Sequence, residues 1–161
     1  MIDGSSYRLA EALAKRQIPD WHITHFHNVA FEHDGSFPNN IKSFSELGPI
    51  LDTMQENRFS PYMREMNGLT VGERDTLVKA LVDCVLLQKI YMPDIKTRLP
   101  YATMIAHLAA FSKISSYNPN FSNILEIGPG CGYSPFFLRN FPNLKNYSQT
   151  ESSEGFYILQ S

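Results

Sequence analysis

Two carboxylates and three glycines in the last third of the chain have residue types and spacings that could do chemistry: Glu126, Gly128, Gly130, Gly132 and Glu151. Glu126 lies near the end of an apolar run, Asn123 to Ile127, and the glycines follow at alternate positions, Gly128-Pro129-Gly130-Cys131-Gly132. Glycine tolerates positive φ and lets another molecule approach the backbone closely. A strand that ends in such a turn and runs on into a helix presents backbone N–H groups to a nucleotide-like ligand. A carboxylate two residues before the first glycine can reach over the loop toward an ammonium or a hydroxyl. A second carboxylate at the end of the neighbouring strand, Glu151, can accept hydrogen bonds from both hydroxyls of a ribose. In an open α/β sheet, ligands bind outside the carboxyl ends of the strands, where both acids are expected.

The glycine spacing separates two ligand classes. A dinucleotide fingerprint, G-x-G-x-x-G/A, would need Gly or Ala at position 133. That position is Tyr133, which argues against close packing around a pyrophosphate and against a nicotinamide-dependent oxidoreductase. The pattern present is E-x-G-x-G-x-G, and it resembles motif I of the class I S-adenosylmethionine-dependent methyltransferases. The resemblance implies a Rossmann-like sheet and S-adenosyl-L-methionine as methyl donor. It implies that Glu126, Gly128, Pro129, Gly130 and Glu151 bind the cofactor, with Gly132 supporting the turn. The stretch Phe136 to Asn143 looks like the helix and turn that follow motif I. More narrowly, Glu151 through Gln160 looks like the acid-plus-helix of sugar O-methyltransferases, so the implied acceptor is a small hydroxylated molecule such as a sugar.

The resemblance covers residues 121 to 161 only. The family's sheet has seven strands and two can be counted here, so the expectation is the N-terminal portion of a longer methyltransferase, or a truncated product. Two strands alone would leave a sheet edge with its pairing groups exposed. O-methylation commonly needs a base to deprotonate the hydroxyl, and no general base can be assigned, so the catalytic residues stay unknown. Two plain alternatives stand beside the cofactor reading. The loop could be a tight βα turn with no ligand, and Glu151 a charge placed at a helix N-terminus for the macrodipole. The alternative function is a non-catalytic helical interaction or dimerisation module that carries a vestigial nucleotide-binding loop.

These residues need elements to position them. The spacing predicts a strand over Asn123–Ile127, a helix over Ser134–Phe141, a turn at Phe141-Pro142-Asn143, a strand over Leu144–Thr150 and a helix from Gly155 to Gln160. That β-α-β-α order predicts an α/β fold with parallel strands. An organisational boundary falls at the helix-breaking Ser115–Asn120. Residues 1–118 read as a mainly helical cap or dimerisation region, and 119–161 as the start of a Rossmann-like domain that binds the cofactor.

In the helical region, Leu9, Ala10, Leu13 and Ala14 share a face of a helix from Ser5 to Gln17, with Ser5 or Ser6 as its N-cap. Pro49 to Gln55 reads as a short helix. Leu69 to Met92 is the strongest helix: Thr70 and Glu73 match a capping box. Val85-Leu86-Leu87 makes its middle apolar nearly all round, which predicts a well-buried helix with Cys84 inert inside it. Thr97 to Ser115 is a second long helix, with Pro100 in its first turn and His107 midway along it. In the loop, Cys131 reads as small-residue packing, since no histidine is placed to activate it.

Four of the five histidines, His22, His25, His27 and His33, lie in one aromatic-rich segment. His25 and His27 would share a face if the segment is extended, and His22 and His25 if it is helical. A zinc site needs a second ligand pair elsewhere, and only His107 and scattered acids remain, so no metal is assigned. The chain has 161 residues and a formal net charge of -2, which gives no electrostatic footprint for nucleic acid. No apolar run reaches the ~20 residues of a membrane span. Met1-Ile2-Asp3-Gly4 has no basic or apolar leader pattern, and Cys84 and Cys131 are too few for a disulfide framework, which together point to the cytoplasm. The expected partners are a small-molecule acceptor and a second copy of the chain, docked through the helical region.

Overall fold

The computed structural model describes residues 3–17, 41–53, 68–151 and 154–160. Along them the chain forms α1 (Ser5–Gln17), a 3-10 turn (Phe44–Leu47), α2 (Gly48–Thr53), α3 (Val71–Tyr91), α4 (Tyr101–Tyr117), β1 (Asn123–Ile127), α5 (Pro135–Leu138), β2 (Asn146–Thr150) and α6 (Glu154–Gln160). The fold is mixed and helix-dominated, with a small sheet in which β1 and β2 pair in parallel from Asn123–Asn146 to Ile127–Thr150. The histidine-rich segment with His22, His25, His27 and His33 lies outside the described residues.

The N-terminus of α3 is closed by the capping box. The Thr70 hydroxyl accepts from the Glu73 N–H at 3.3 Å, and the Glu73 carboxylate accepts from the Thr70 N–H at 3.0 Å. Two donors that the helix would leave unsatisfied are met reciprocally. At α1 the arrangement differs from the expected serine cap. Ser5 and Ser6 are inside the helix, and the Asp3 carboxylate accepts the Ser5 N–H at 2.9 Å. Asp3 lies two residues before Ser5, where its short side chain can fold back on the first turn.

α3 and α4 form a hairpin tied at both ends. At one end the Ser112 hydroxyl donates to Glu73 at 3.1 Å. At the other, the buried Gln88 amide donates to the Arg98 carbonyl at 3.0 Å and accepts from the Arg98 N–H at 2.9 Å. Gln88 thereby satisfies the connector that Pro93 and Pro100 keep out of helix. α4 starts at Tyr101 rather than Thr97, with Pro100 as the residue before the first turn.

The expectation that α3 is buried all round is corrected. Leu77, Ala80, Cys84 and Gln88 are buried, whereas Val78, Val82, Leu86 and Ile90 are 52, 50, 52 and 67% exposed. The exposed four recur every fourth residue and so form one stripe. Side-chain type specifies which residues are apolar; the number of packed neighbours specifies how many of them are covered.

One core cluster joins the chain on both sides of residue 118. It includes Leu47 and Ile50, Leu77 and Ala80 of α3, Met104, Ile105 and Leu108 of α4, then Cys131, Tyr133, Phe137 and Ile158. Fully burying each large apolar side chain contributes about 1.5–3 kcal/mol. α5 is a single turn, not the helix expected over Ser134–Phe141, yet it delivers Phe137 with no exposed surface. Its neighbouring bonds, Phe136 N to Tyr133 O and Asn140 N to Phe137 O, both 3.2 Å, reach back three residues. They wind the segment more tightly than an α-helix. β2 begins at Asn146, two residues later than expected. Among the described residues no helix is long and apolar enough to cross a membrane.

Candidate functional site

The loop after β1 has the backbone that its glycines predict. Gly128, Gly130 and Gly132 take φ of 68°, 60° and 71°, a region that L side chains adopt only at a cost. The loop opens beside β2: the Gly128 N–H donates to the Thr150 carbonyl at 2.9 Å, one residue before Glu151. It closes on itself through Gly132 N–H to the carbonyl of buried Pro129 at 3.2 Å. Two of the loop's N–H groups are thus committed within the chain. The one-turn α5 offers little dipole beneath the loop, so the layout differs from the cradle expected with a helix over Ser134–Phe141.

Glu126 lies on the helix-facing side of β1, half-buried. Its carboxylate accepts from the Ser134 hydroxyl at 2.8 Å and from the Tyr147 phenol on β2. Burial, and then the hydrogen bond to Glu126, hold the Tyr147 phenol well above its ordinary range, so it remains the donor. Tyr147 pairs with Ile124 in the register, and the two-residue period puts it on the face that carries Glu126. That period was the available signal for Tyr147. Ser134 could have been found as the first serine after the glycines.

Glu151 follows β2 directly. The amide of Gln160, the last residue of α6, donates to the Gly130 carbonyl and to Glu151 Oε2, the latter at 3.4 Å. One side chain therefore spans the loop and the second acid. A Cβ at Gly132 would fall 2.8 Å from Gln160 Cγ, so the missing side chain there is what admits this contact. Nothing local in the sequence marks Gln160, because its role depends on α6 folding back across the loop.

Behind the loop is a cavity of about 770 Å³ between Leu87 and Tyr91 of α3, Cys131 to Tyr133 of the loop, and Gln160. This volume lies within the range typical of small-molecule sites. Burial pushes the Cys131 thiol up to about 12 and raises Cys84, so both are neutral packing groups and not nucleophiles. His107 sits edge-on to Tyr133 at a ring separation of 5.8 Å, and its Nδ1 lies 2.9 Å from the Thr103 carbonyl, a packing role. Among the described residues no group of three or more His, Cys, Asp or Glu could hold a metal ion.

The structure thus assembles the predicted residues around one loop. Gly128, Pro129, Gly130 and Gly132 form the turn, Glu126 supports it from inside, and Glu151 meets it through Gln160. No protein-family model, curated protein or solved structure matches the chain.

Proposed function

We propose that the chain carries the donor-binding part of a methyltransferase that uses S-adenosyl-L-methionine and methylates a small hydroxylated acceptor. The observation that carries this reading is the bridge from the Gly130 carbonyl to Glu151 by the Gln160 amide. Two acceptor atoms, one on the loop and one on the acid after the adjacent parallel strand, converge on one donor group. Ribose hydroxyls are donors of the same kind. The three left-handed glycines and the order Glu126, Gly128, Gly130, Gly132, Glu151 support the same reading through the motif they resemble.

The residues present fit the ribose of the cofactor. Glu151 and the Gly130 carbonyl would receive ribose hydroxyls once Gln160 turns aside, and the left-handed turn gives a ligand room beside the backbone. Glu126 would act from beneath, holding Ser134 and Tyr147 and so the start of α5. The cofactor supplies a sulfonium-bound methyl group. Transfer of that methyl to an acceptor oxygen would release the sulfur as the neutral thioether, with the hydroxyl proton passing to a base that the described residues do not identify.

Calorimetry of the chain with S-adenosylhomocysteine tests this. Binding is expected, and Glu151→Ala should weaken it by about tenfold or more, because a charged hydrogen-bond acceptor is lost. Absence of heat at high ligand concentration would sink the reading.

A second reading rests on the α3 stripe. Val78, Val82, Leu86 and Ile90 are exposed along one line, which favours self-association of the helical region. Light scattering should give a dimer that Val82→Glu returns to monomer. A wild-type monomer at high concentration removes this reading.

A further inference from the structure

The cavity behind the loop has a lining that specifies its ligand more narrowly than the loop does. Its walls are apolar or aromatic, among them Phe44, Leu51, Leu87, Tyr91 and Phe136. Several of its polar side chains already have partners. Gln88 makes both amide bonds to the Arg98 backbone, and Gln160 donates to Gly130 and Glu151. Gln149 accepts from Tyr147 at 3.3 Å, and Arg139 is paired with Asp83. The two thiols and the Tyr133 phenol are kept neutral by burial. Among the described residues no Asp or Glu lines the cavity. A polyhydroxylated guest would lose its water against walls that are mostly apolar, and each buried hydroxyl left unpaired lowers affinity. A flat apolar guest loses little and gains contact with the aromatic walls.

We infer that this cavity binds a planar aromatic molecule with few polar groups. Resting on the methyltransferase reading, the acceptor is then a phenol-type hydroxyl, not the sugar that the narrower sequence resemblance suggested. Gln160 lines the cavity and also touches the loop and Glu151, so it stands where acceptor and donor would meet.

The test is a fluorescence titration of the chain with 2-naphthol, with methyl glucoside as the polar comparison. Saturable binding of one naphthol per chain and none of the glucoside is expected. Leu87→Trp, which fills the cavity from the partly exposed face of α3, should weaken naphthol by about tenfold or more. Tyr91→Ala, which removes an aromatic wall at an exposed position and leaves α3 a good helix former, should weaken it severalfold. Leu125→Lys, on the bare side of the sheet, should leave it unchanged. Glucoside binding in place of naphthol overturns the inference. So does naphthol binding that survives both cavity variants, or that Leu125→Lys abolishes. Calorimetry with S-adenosylhomocysteine runs separately. Naphthol binding without it keeps the cavity site and removes the methyltransferase reading; the converse removes the cavity site alone.

Discussion

In the α3–α4 hairpin the polar bonds are at the ends and the middle is apolar. Ser112 meets Glu73 at one end and Gln88 holds Arg98 at the other, while Leu77, Ala80, Met104, Ile105 and Leu108 close the space between. In the β1–loop–β2 unit the order is reversed. The polar bonds of Glu126, Ser134, Tyr147 and Gln160 are central, and the outward face of β1 leaves Leu125 and Ile127 62 and 80% exposed. A parallel sheet is ordinarily covered on both faces. The hairpin is therefore held by buried volume, and the βα unit by backbone conformation and a polar network. Truncating a side chain should hurt the first, and adding a Cβ should hurt the second.

The largest effect should come where the two regions meet. Phe137 belongs to the βα unit but buries its whole side chain in the shared core, with its ring 6.0 Å from that of Phe111 on α4. Phe137→Ala should cost about 3–5 kcal/mol in urea unfolding. If the regions form one cooperative body, the helical signal and the near-ultraviolet tyrosine signal will shift together. If the helical signal keeps its midpoint, the hairpin is an independent unit and the comparison becomes one between two separately folding parts.

The second effect isolates the loop. Gly128 and Gly132 have nearly the same φ, but a Cβ at Gly128 meets open space while one at Gly132 meets Gln160 at 2.8 Å. Gly128→Ala should lose about 1–2 kcal/mol, the cost of left-handed backbone alone. Gly132→Ala should lose more, by up to about 1–3 kcal/mol of overpacking, and should release Gln160 from the loop. Equal losses in thermal unfolding would mean that Gln160 gives way freely and that the loop is not held by it.

The contrast explains what could be read from sequence. β1 was legible to the residue, because a run of Ile, Leu and Ile bounded by Asn123 and Gly128 has little alternative to a strand. The capping box was legible because Thr70 and Glu73 bond within one turn. The left-handed turn was legible because glycine is the residue that accepts it. Burial was not: the apolar residues of α3 include both Leu77, which is covered, and Ile90, which is not, and type alone does not separate them. Nor was the Gln160 bridge, which joins residues 30 apart only after β2 and α6 have folded. The length of α5 was misjudged because its aromatic residues fit a helical period, while the tight turns that place Phe137 end the helix after four residues.

A smaller effect tests the hairpin's end without touching its volume. Thr70→Ala removes the hydroxyl that accepts the Glu73 N–H and should cost about 1 kcal/mol in urea unfolding. Cavity-forming losses in the βα unit should not follow from it, so Gly128→Ala and Thr70→Ala should add independently. A coupling well above the error of the measurement would mean that the capped end of α3 and the loop report on one another through the shared core.

The smallest effect is a pH dependence, and its sign follows from the same cap. Hydrogen bonds from the Thr70 backbone and then its side chain, with Ser112 adding to them, hold the Glu73 carboxyl below its ordinary value of 4.5. The folded chain therefore binds this proton more weakly than the unfolded chain does. The stabilisation is fully present above the unfolded value and is lost as pH falls from about that value through the lower folded one. Replacing the carboxylate by Glu73→Gln keeps an acceptor for the Thr70 N–H but removes the titration. Wild type should then be the more stable chain at pH 7, and the difference should shrink steadily below pH 4.5. If the gap between wild type and Glu73→Gln is flat from neutral pH into the acid range, the cap is not a charged one, and the hairpin's polar ends matter less than its buried middle.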